Sequence, residues 1–382
     1  METPHICRVT CPASRCYLQP MSTASRLDAA FVADESFVPT SHKGLTYPFG
    51  GREPMPGQAM TVAPGVRWVR LTVPGPLKHV NCWLIDDDGG VALVDTGMNL
   101  PDARDAWKAL FRGPLAGTRV TRMIGTHFHP DHIGLAGWMC DHHQAPLVMT
   151  RGEWLTARML VADARDNVPD EMVAFWRGAG WSDEQVAHAS ERGWAGFRRI
   201  VTPLPLSYRR IADGDILTIG GVAWRVVVGS GHSPEHACLL DEVAGVLIAG
   251  DQVLPRISPN VSLGVTEPEA DPLGEWFASI ARLKLLPHHL LVLPGHGDPF
   301  TGLHARLDAM DREHRERLDE LEVFLAEPRR AVDCFGRLFR RAIGPDMLGM
   351  ASGEALAHLR RLEVEGRAAK EDRDGVWWYR AI

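Results

Sequence analysis

The stretch THFHPDHIG, residues 126–134, places three histidines and an aspartate within six positions, from His127 to His132. Histidine is the commonest side-chain metal ligand, and a carboxylate beside it suits a divalent cation of borderline hardness. His127 and His129 are two residues apart, so on the extended end of a strand both can point the same way. Asp131 and His132 then fall at the start of a following helix, where they can turn toward a second ion. Four ligands in six residues cannot comfortably surround one ion, so the spacing asks for two.

Such a site needs further ligands, and three later turns supply them. GSGHSPEH (229–236) presents His232, IAGDQVLP (248–255) presents Asp251, and LPGHGDP (293–299) presents His296. Each follows an apolar run and is flanked by glycines, which permit tight turns and close backbone approach. A single histidine in a chain that has 17 is more often a surface or core residue, and His142, His143, His288 and His289 read that way. The clustered motif with three matching turns points to metal instead.

The apolar pattern around these turns is that of an α/β layered protein. VRWVRLTV, HVNCWLID and VALVD are short apolar runs broken by Pro-Gly or Asp-Gly turns, hence strands, and PDARDAWKALF has helical spacing. Residues 151–200 interrupt the alternation and read as three helices, the last opened by a Ser182 cap with a glutamate as its partner. Strands resume with DILTIG, GVAWRVVVG, HACLLD and GVLIAG, and HLLVLPG closes the main body near residue 300. Residues 1–60, rich in Pro, Gly, Ser and Thr, read as a partly disordered arm. Residues 61–300 form the main domain. Residues 301–382 read as amphipathic helices followed by a hairpin around Asp374-Gly375, a small winged-helix-like domain.

Composition sets outer limits. The chain has 382 residues, 45% hydrophobic and 23% charged, which suffices for a main domain and a smaller one. A net charge of −7 and a pI near 6.2 give no reason to expect nucleic acid or an anionic membrane as a partner. No apolar run reaches the roughly 20 residues of a membrane helix, and no signal-like apolar stretch opens the chain, so the expected location is cytoplasmic. Three of the seven cysteines, Cys7, Cys11 and Cys16, crowd the start without a fourth ligand at a zinc spacing, and Met21 is a candidate true start.

Taken together, these motifs resemble the metallo-β-lactamase-fold hydrolase superfamily. T-H-x-H-x-D-H is its signature, and VALVDTG (91–97), GHSPEH, AGD and PGHG stand in the expected order over roughly residues 60–300. The resemblance implies an αββα sandwich with a dinuclear site at one edge. It implies that His127, His129 and His232 bind one ion, that Asp131, His132 and His296 bind another, and that Asp251 bridges them. Asp95 would support the ligands from behind. A hydroxide shared by the two ions would be the nucleophile, since metal binding lowers a water's pKa to about 7. The resemblance also allows Asp131 a catalytic role in steering that nucleophile. The N/O ligand set suits two zinc ions, with Mn2+ or Fe2+ as alternatives.

True metallo-β-lactamases typically carry Cys or Ser where this chain has Asp251. The aspartate is similar to that of hydroxyacylglutathione hydrolases, acyl-homoserine lactonases and the phosphodiesterase and ribonuclease branches. The expected function is hydrolysis of a small-molecule ester, lactone or thioester. The alternatives are a phosphodiesterase or endoribonuclease using the same metals, β-lactam hydrolysis as a side activity, or a DNA-binding regulator acting through the tail. The tail resembles the C-terminal domain of lactamase-like endoribonucleases, but its near-neutral charge is a poor match for a phosphate backbone, which favours a packing or homodimer contact. Trp154, Trp176, Trp181 and Trp194 in the insertion are candidate lid residues, and His79 in PGPLKHVN (74–81) is a candidate substrate contact. Glu235 stands where the family often has glycine and is expected to face solvent.

Overall fold

Trp68 and Trp83 face each other across a strand pair, their rings stacked with centroids 6.0 Å apart. Both are essentially without exposure, because the strands Val66–Thr72 and His79–Asp87 lie in a sheet covered on both sides. The computed structural model describes residues 38–382. Cys7, Cys11, Cys16 and the Met21 start lie outside the described residues.

The first sheet has seven strands in the order Met60–Ala63, Val66–Thr72, His79–Asp87, Gly90–Val94, Val120–Ile124, Leu147–Met149 and Arg209–Arg210. It is antiparallel up to Gly90–Val94 and parallel beyond. Parallel neighbours need crossover connections. The helices Pro101–Arg112 and Ala136–His143 provide them, burying Trp107, Leu110 and Met139 on the outer face. The second sheet has five strands, Ile216–Ile219, Val222–Gly229, His236–Asp241, Val246–Gly250 and Leu291–Pro294, with helix Pro272–Leu283 outside. Between the sheets, Val94, Ile124 and Val148 meet Val226, Leu239 and Ile248 in a dry core. This is the expected αββα sandwich.

Two segments differ from the sequence expectations. Within the described part of the supposed arm, Thr40–His42 and Leu45–Tyr47 pair as a hairpin, and Thr46 bonds to Thr301. Leu45, Tyr47 and Phe49 are buried there, so apolar burial anchors this portion to the body. The insertion holds four helices, Arg151–Ala162, Asp170–Gly178, Asp183–Ser190 and Gly196–Ile200, because the chain turns at Gly193, where φ is 65°. The third opens with a capping box, but the partner of Ser182 is Gln185. An amide carbonyl accepts the cap N–H as a carboxylate would.

The tail comprises helix Leu303–Phe324, short turns over 331–347, helix Leu348–Val364 and the hairpin Ala368–Arg373/Val376–Ala381. Asp374 and Gly375 both have positive φ, as a two-residue hairpin turn of this hand requires. The hairpin aromatics pack across the insertion as well as on their own helices. Trp377 meets Phe175 edge-on at 5.5 Å and lies so close to Gly178 that a Cβ there would come within 2.6 Å of its ring. The tail and insertion share one apolar core, in which Trp176 stacks on Trp181 at 4.8 Å.

Candidate metal centre

The ends of strands from both sheets meet along one edge. Backbone bonds stitch that seam, from Ala237 N to Thr126 O at 2.8 Å and from Asn81 N to Gly295 O at 2.7 Å. His127 and His129 follow strand Val120–Ile124, and Asp131 and His132 occupy the four-residue helix Pro130–Ile133. His232, Asp251 and His296 follow three strands of the second sheet. Candidate donors from two sheets are thus brought together by the sandwich itself.

Their donor atoms converge. Nε2 of His127 lies 2.9 Å from Nδ1 of His129 and 3.3 Å from Nε2 of His232. Nε2 of His296 lies 3.1 Å from Oδ2 of Asp131 and 3.4 Å from Oδ2 of Asp251, while Nε2 of His132 lies 3.3 Å from Oδ1 of Asp251. Three donor triads form within 4.8 Å: His127/His129/His232, His127/His132/Asp251 and Asp131/His132/His296. Asp251 stands between the two outer sets, 3.7 Å from His232 Nε2 on one side.

The rings are aimed from behind. His132 Nδ1 donates to Asp95 Oδ2 at 2.7 Å. His127 Nδ1 donates to Thr126 Oγ1 at 3.0 Å, and that hydroxyl donates to Asp95 Oδ2 at 2.8 Å. His232 Nδ1 donates to Asn260 O at 2.7 Å and His296 Nδ1 to His79 O at 2.6 Å. Each of these four bonds commits Nδ1 and leaves Nε2 facing the centre, the usual way that outer partners orient metal-binding histidines. Asp95 holds its place with φ of 61°, a strained value for a residue with a Cβ.

The electrostatics ask for cations. Burial alone would depress the His132 and His296 pKa values. The carboxylates of Asp251, Asp95 and Asp131 outweigh it for His132, and those of Asp251 and Asp131 for His296, which is lifted to about 10. Asp131 is pulled down to about 2, since His132 and His296 outweigh the opposing effect of burial. His129 is pushed down to about 3 by burial and by His232, so it is a neutral donor. Nε2 of His132, Nε2 of His296 and Oδ1 of Asp251 are buried and face one another and Asp131 at 3.1–3.4 Å, without a well-aligned hydrogen bond. Orphaned buried donors and acceptors are costly unless something meets them. A divalent cation would do so, and the nitrogen and oxygen donor set fits one.

His79 is half-buried, its Nε2 accepting Gly297 N at 3.0 Å while its carbonyl holds His296. Burial and Arg70 push its pKa to about 4, so the ring is a neutral acceptor in the ligand loop. Glu235 does not face solvent freely: its Oε2 accepts Gly152 N at 2.7 Å, because the free N–H groups opening helix Arg151–Ala162 attract a carboxylate. Trp154 stacks on Tyr208, and Trp194 donates to Asp163, so these insertion aromatics are engaged in local packing.

Two supporting residues were not singled out from the sequence. Glu153 is fully buried and accepts Phe128 N at 2.8 Å, Ser233 Oγ at 2.6 Å and Glu235 N at 2.7 Å. It ties the loop of His127 and His129 to the loop of His232. His236 accepts Asp251 N at 3.0 Å and stacks on His127 at 4.7 Å. The repeated histidine in GHSPEH was a signal for His236, whereas nothing in the amphipathic pattern of RGEWLTARML marks Glu153 as buried.

The sandwich and its donor cluster define a metallo-hydrolase. Residues 75–296 match the family model described as the metallo-β-lactamase superfamily, and residues 318–382 match the metallo-β-lactamase-like C-terminal domain. The chain belongs to the metallo-β-lactamase superfamily. The crystal structure of a β-lactamase domain protein from Burkholderia ambifaria is 39% identical, with a TM-score of 0.81 over 88% of this chain and 98% of that one. A Bacillus subtilis protein named as a probable metallo-hydrolase is 26% identical over 78% of this chain and 92% of its own length. An acyl-coenzyme A thioesterase of Gallus gallus is 27% identical over 62% of this chain and 79% of its own. Among the described residues, no helix is long and apolar enough to cross a membrane.

Proposed function

We propose that the protein is a dinuclear hydrolase of small-molecule carboxylic thioesters, with esters and lactones as related substrates. The carrying observation is the position of Asp251, whose two carboxylate oxygens face His132 on one side and His232 and His296 on the other. That arrangement supports the bridging role for Asp251, with His127, His129 and His232 holding one ion and Asp131, His132 and His296 the other. Two zinc ions suit the donor set best. Bound there, such a pair supplies an activated water at neutral pH and polarises the substrate carbonyl.

This chain's residues do the rest. Asp131, partly open to solvent, directs the attacking water and receives its proton at the carboxylate. His127 and His132 are fully buried, which shields their rings from bulk water. Phe128 meets His129 edge-on at 4.5 Å and neighbours Phe197 of the insertion at 6.4 Å, an apolar margin suited to an acyl chain. The thioesterase relative supports the thioester preference. We divide the chain into a catalytic domain, 61–300, and a C-terminal module, 301–382, of winged-helix type. The packing of Trp377 against the insertion supports a structural role for that module over base stacking.

The test is turnover of a thioester, lactone, aryl ester, β-lactam and phosphodiester by wild type and Asp251→Ala. Metal-dependent thioester cleavage that Asp251→Ala abolishes is expected. Phosphodiester cleavage as the main activity, or no metal-dependent turnover of any substrate, overturns the reading.

A further inference from the structure

The chain that leaves Asp251 runs over the C-terminal module before it returns to the main domain, and the module grips it along its length. Arg306 donates to Leu254 O at 2.6 Å and to Ile257 O at 2.8 Å. Ser258 Oγ pairs with His314 Nε2 at 2.8 Å, and His314 Nδ1 in turn meets His358 Nε2 at 3.1 Å. Asn260 Nδ2 donates to Glu354 Oε2 at 3.0 Å, and Leu263 N donates to Gly353 O at 3.0 Å. A Cβ at position 353 would stand 2.8 Å from the Ser262 side chain, so helix Leu348–Val364 reaches the loop only because a glycine is there.

Asn260 has three partners, two through its side chain and one through its backbone. Its side-chain amide is held by Glu354, and its own side-chain oxygen accepts Ser262 Oγ. Its backbone carbonyl accepts Nδ1 of His232 at 2.7 Å. The side chain is thus held on the module while the carbonyl of the same residue holds His232. The Glu354 side chain is only 13% exposed, and Arg317 stands 3.7 Å from its other oxygen. A buried carboxylate so held is a rigid anchor.

We infer that Glu354 of the C-terminal module is a positioning residue of the metal centre, acting through Asn260 to set the orientation and tautomer of His232. The inference rests on His232 being a metal ligand, as proposed above. It gives the module a task in building the site, independent of any partner that it binds. The Nδ1 bond presents Nε2 as the free lone pair, and loss of such support typically costs about 10-fold or more in metal affinity.

The experiment compares metal affinity, by competition with a chromophoric zinc chelator, and the absorption spectrum of the cobalt(II) protein. Four full-length variants are used: Glu354→Ala, Glu354→Gln, Asn260→Ala and Trp377→Ala. Glu354→Ala is expected to weaken the ion that His127, His129 and His232 would hold by about 10-fold and to alter the cobalt spectrum. Glu354→Gln, which keeps an acceptor oxygen for Asn260, should recover most of both. Asn260→Ala retains the carbonyl that His232 uses and removes the tether to Glu354 along with the Ser262 hydrogen bond, so it should reproduce the loss even if Glu354→Ala folds poorly. Trp377→Ala loosens the module elsewhere and should leave affinity and spectrum unchanged. Wild-type affinity and spectrum in Glu354→Ala and Asn260→Ala overturn the inference alone, as does an equal loss in Trp377→Ala. A wild-type protein that takes up no metal overturns the metal-centre reading itself, and this inference with it.

Discussion

The Asp95 carboxylate stands 2.7 Å from Nδ1 of His132, and the same group receives the Thr126 N–H and hydroxyl. One side chain therefore sets the orientation of His132 directly and that of His127 through Thr126. Asp95→Ala should lower metal affinity by roughly 10- to 100-fold. Competition with a chelator of known affinity measures it, and an unchanged affinity would remove Asp95 from the support of the site.

Metal uptake should release protons. His296 holds a proton to about pH 10, and His132 is also raised, because neighbouring carboxylates outweigh burial. At neutral pH a cation must displace those protons, so affinity should climb with pH over the neutral and mildly alkaline range. For the metal-free protein the sign reverses. A raised histidine stabilises the fold fully below its ordinary value of 6.5, and that contribution fades as pH rises toward about 10. A pH indicator in weak buffer reads the release. Metal binding without proton release would contradict the charge states derived for the cluster.

Glu153 joins the two ligand loops through three hydrogen bonds. Replacing it with alanine orphans buried donors, at a cost on the order of 2–4 kcal/mol. Urea denaturation should show this as a lower midpoint. Burial lifts the Glu153 carboxyl from 4.5 to about 7, against the hydrogen bonds that favour its charged form. The folded state thus holds this proton more tightly, and the Glu153 contribution to stability declines as pH rises from about 4.5 through 7. Glu153→Gln should flatten that part of the profile.

Gly178 leaves room for the Trp377 ring. Gly178→Val should cost about 1–3 kcal/mol by forcing the hairpin away from the insertion. The thermal midpoint reports it, and a midpoint matching wild type would deny the contact.

Much of this was legible in the sequence because short-range chemistry encoded it. THFHPDHIG, GSGHSPEH, IAGDQVLP and LPGHGDP each place a donor at a strand end, and short apolar runs broken by turn residues placed the strands. The supporting contacts were harder to read because they join residues far apart. Glu153 reaches Ser233 across 80 positions and Asn260 reaches Glu354 across 94, with no local spacing to announce either bond. Glu235 was misread for the same reason, since its partner is the backbone of Gly152 in another element. The docked hairpin at 40–47 was obscured by a polar composition around a few buried side chains, Leu45 and Tyr47 among them.

The seam along the sandwich edge has a consequence for how the protein comes to exist. The first sheet delivers one cluster of donors early in the chain, and the second sheet delivers the rest only after the insertion has been synthesised. A nascent or half-folded chain therefore owns part of a binding site and cannot complete the other part. Ions held by the full set would rivet one sheet to the other, and their retention would report that both halves have met in register.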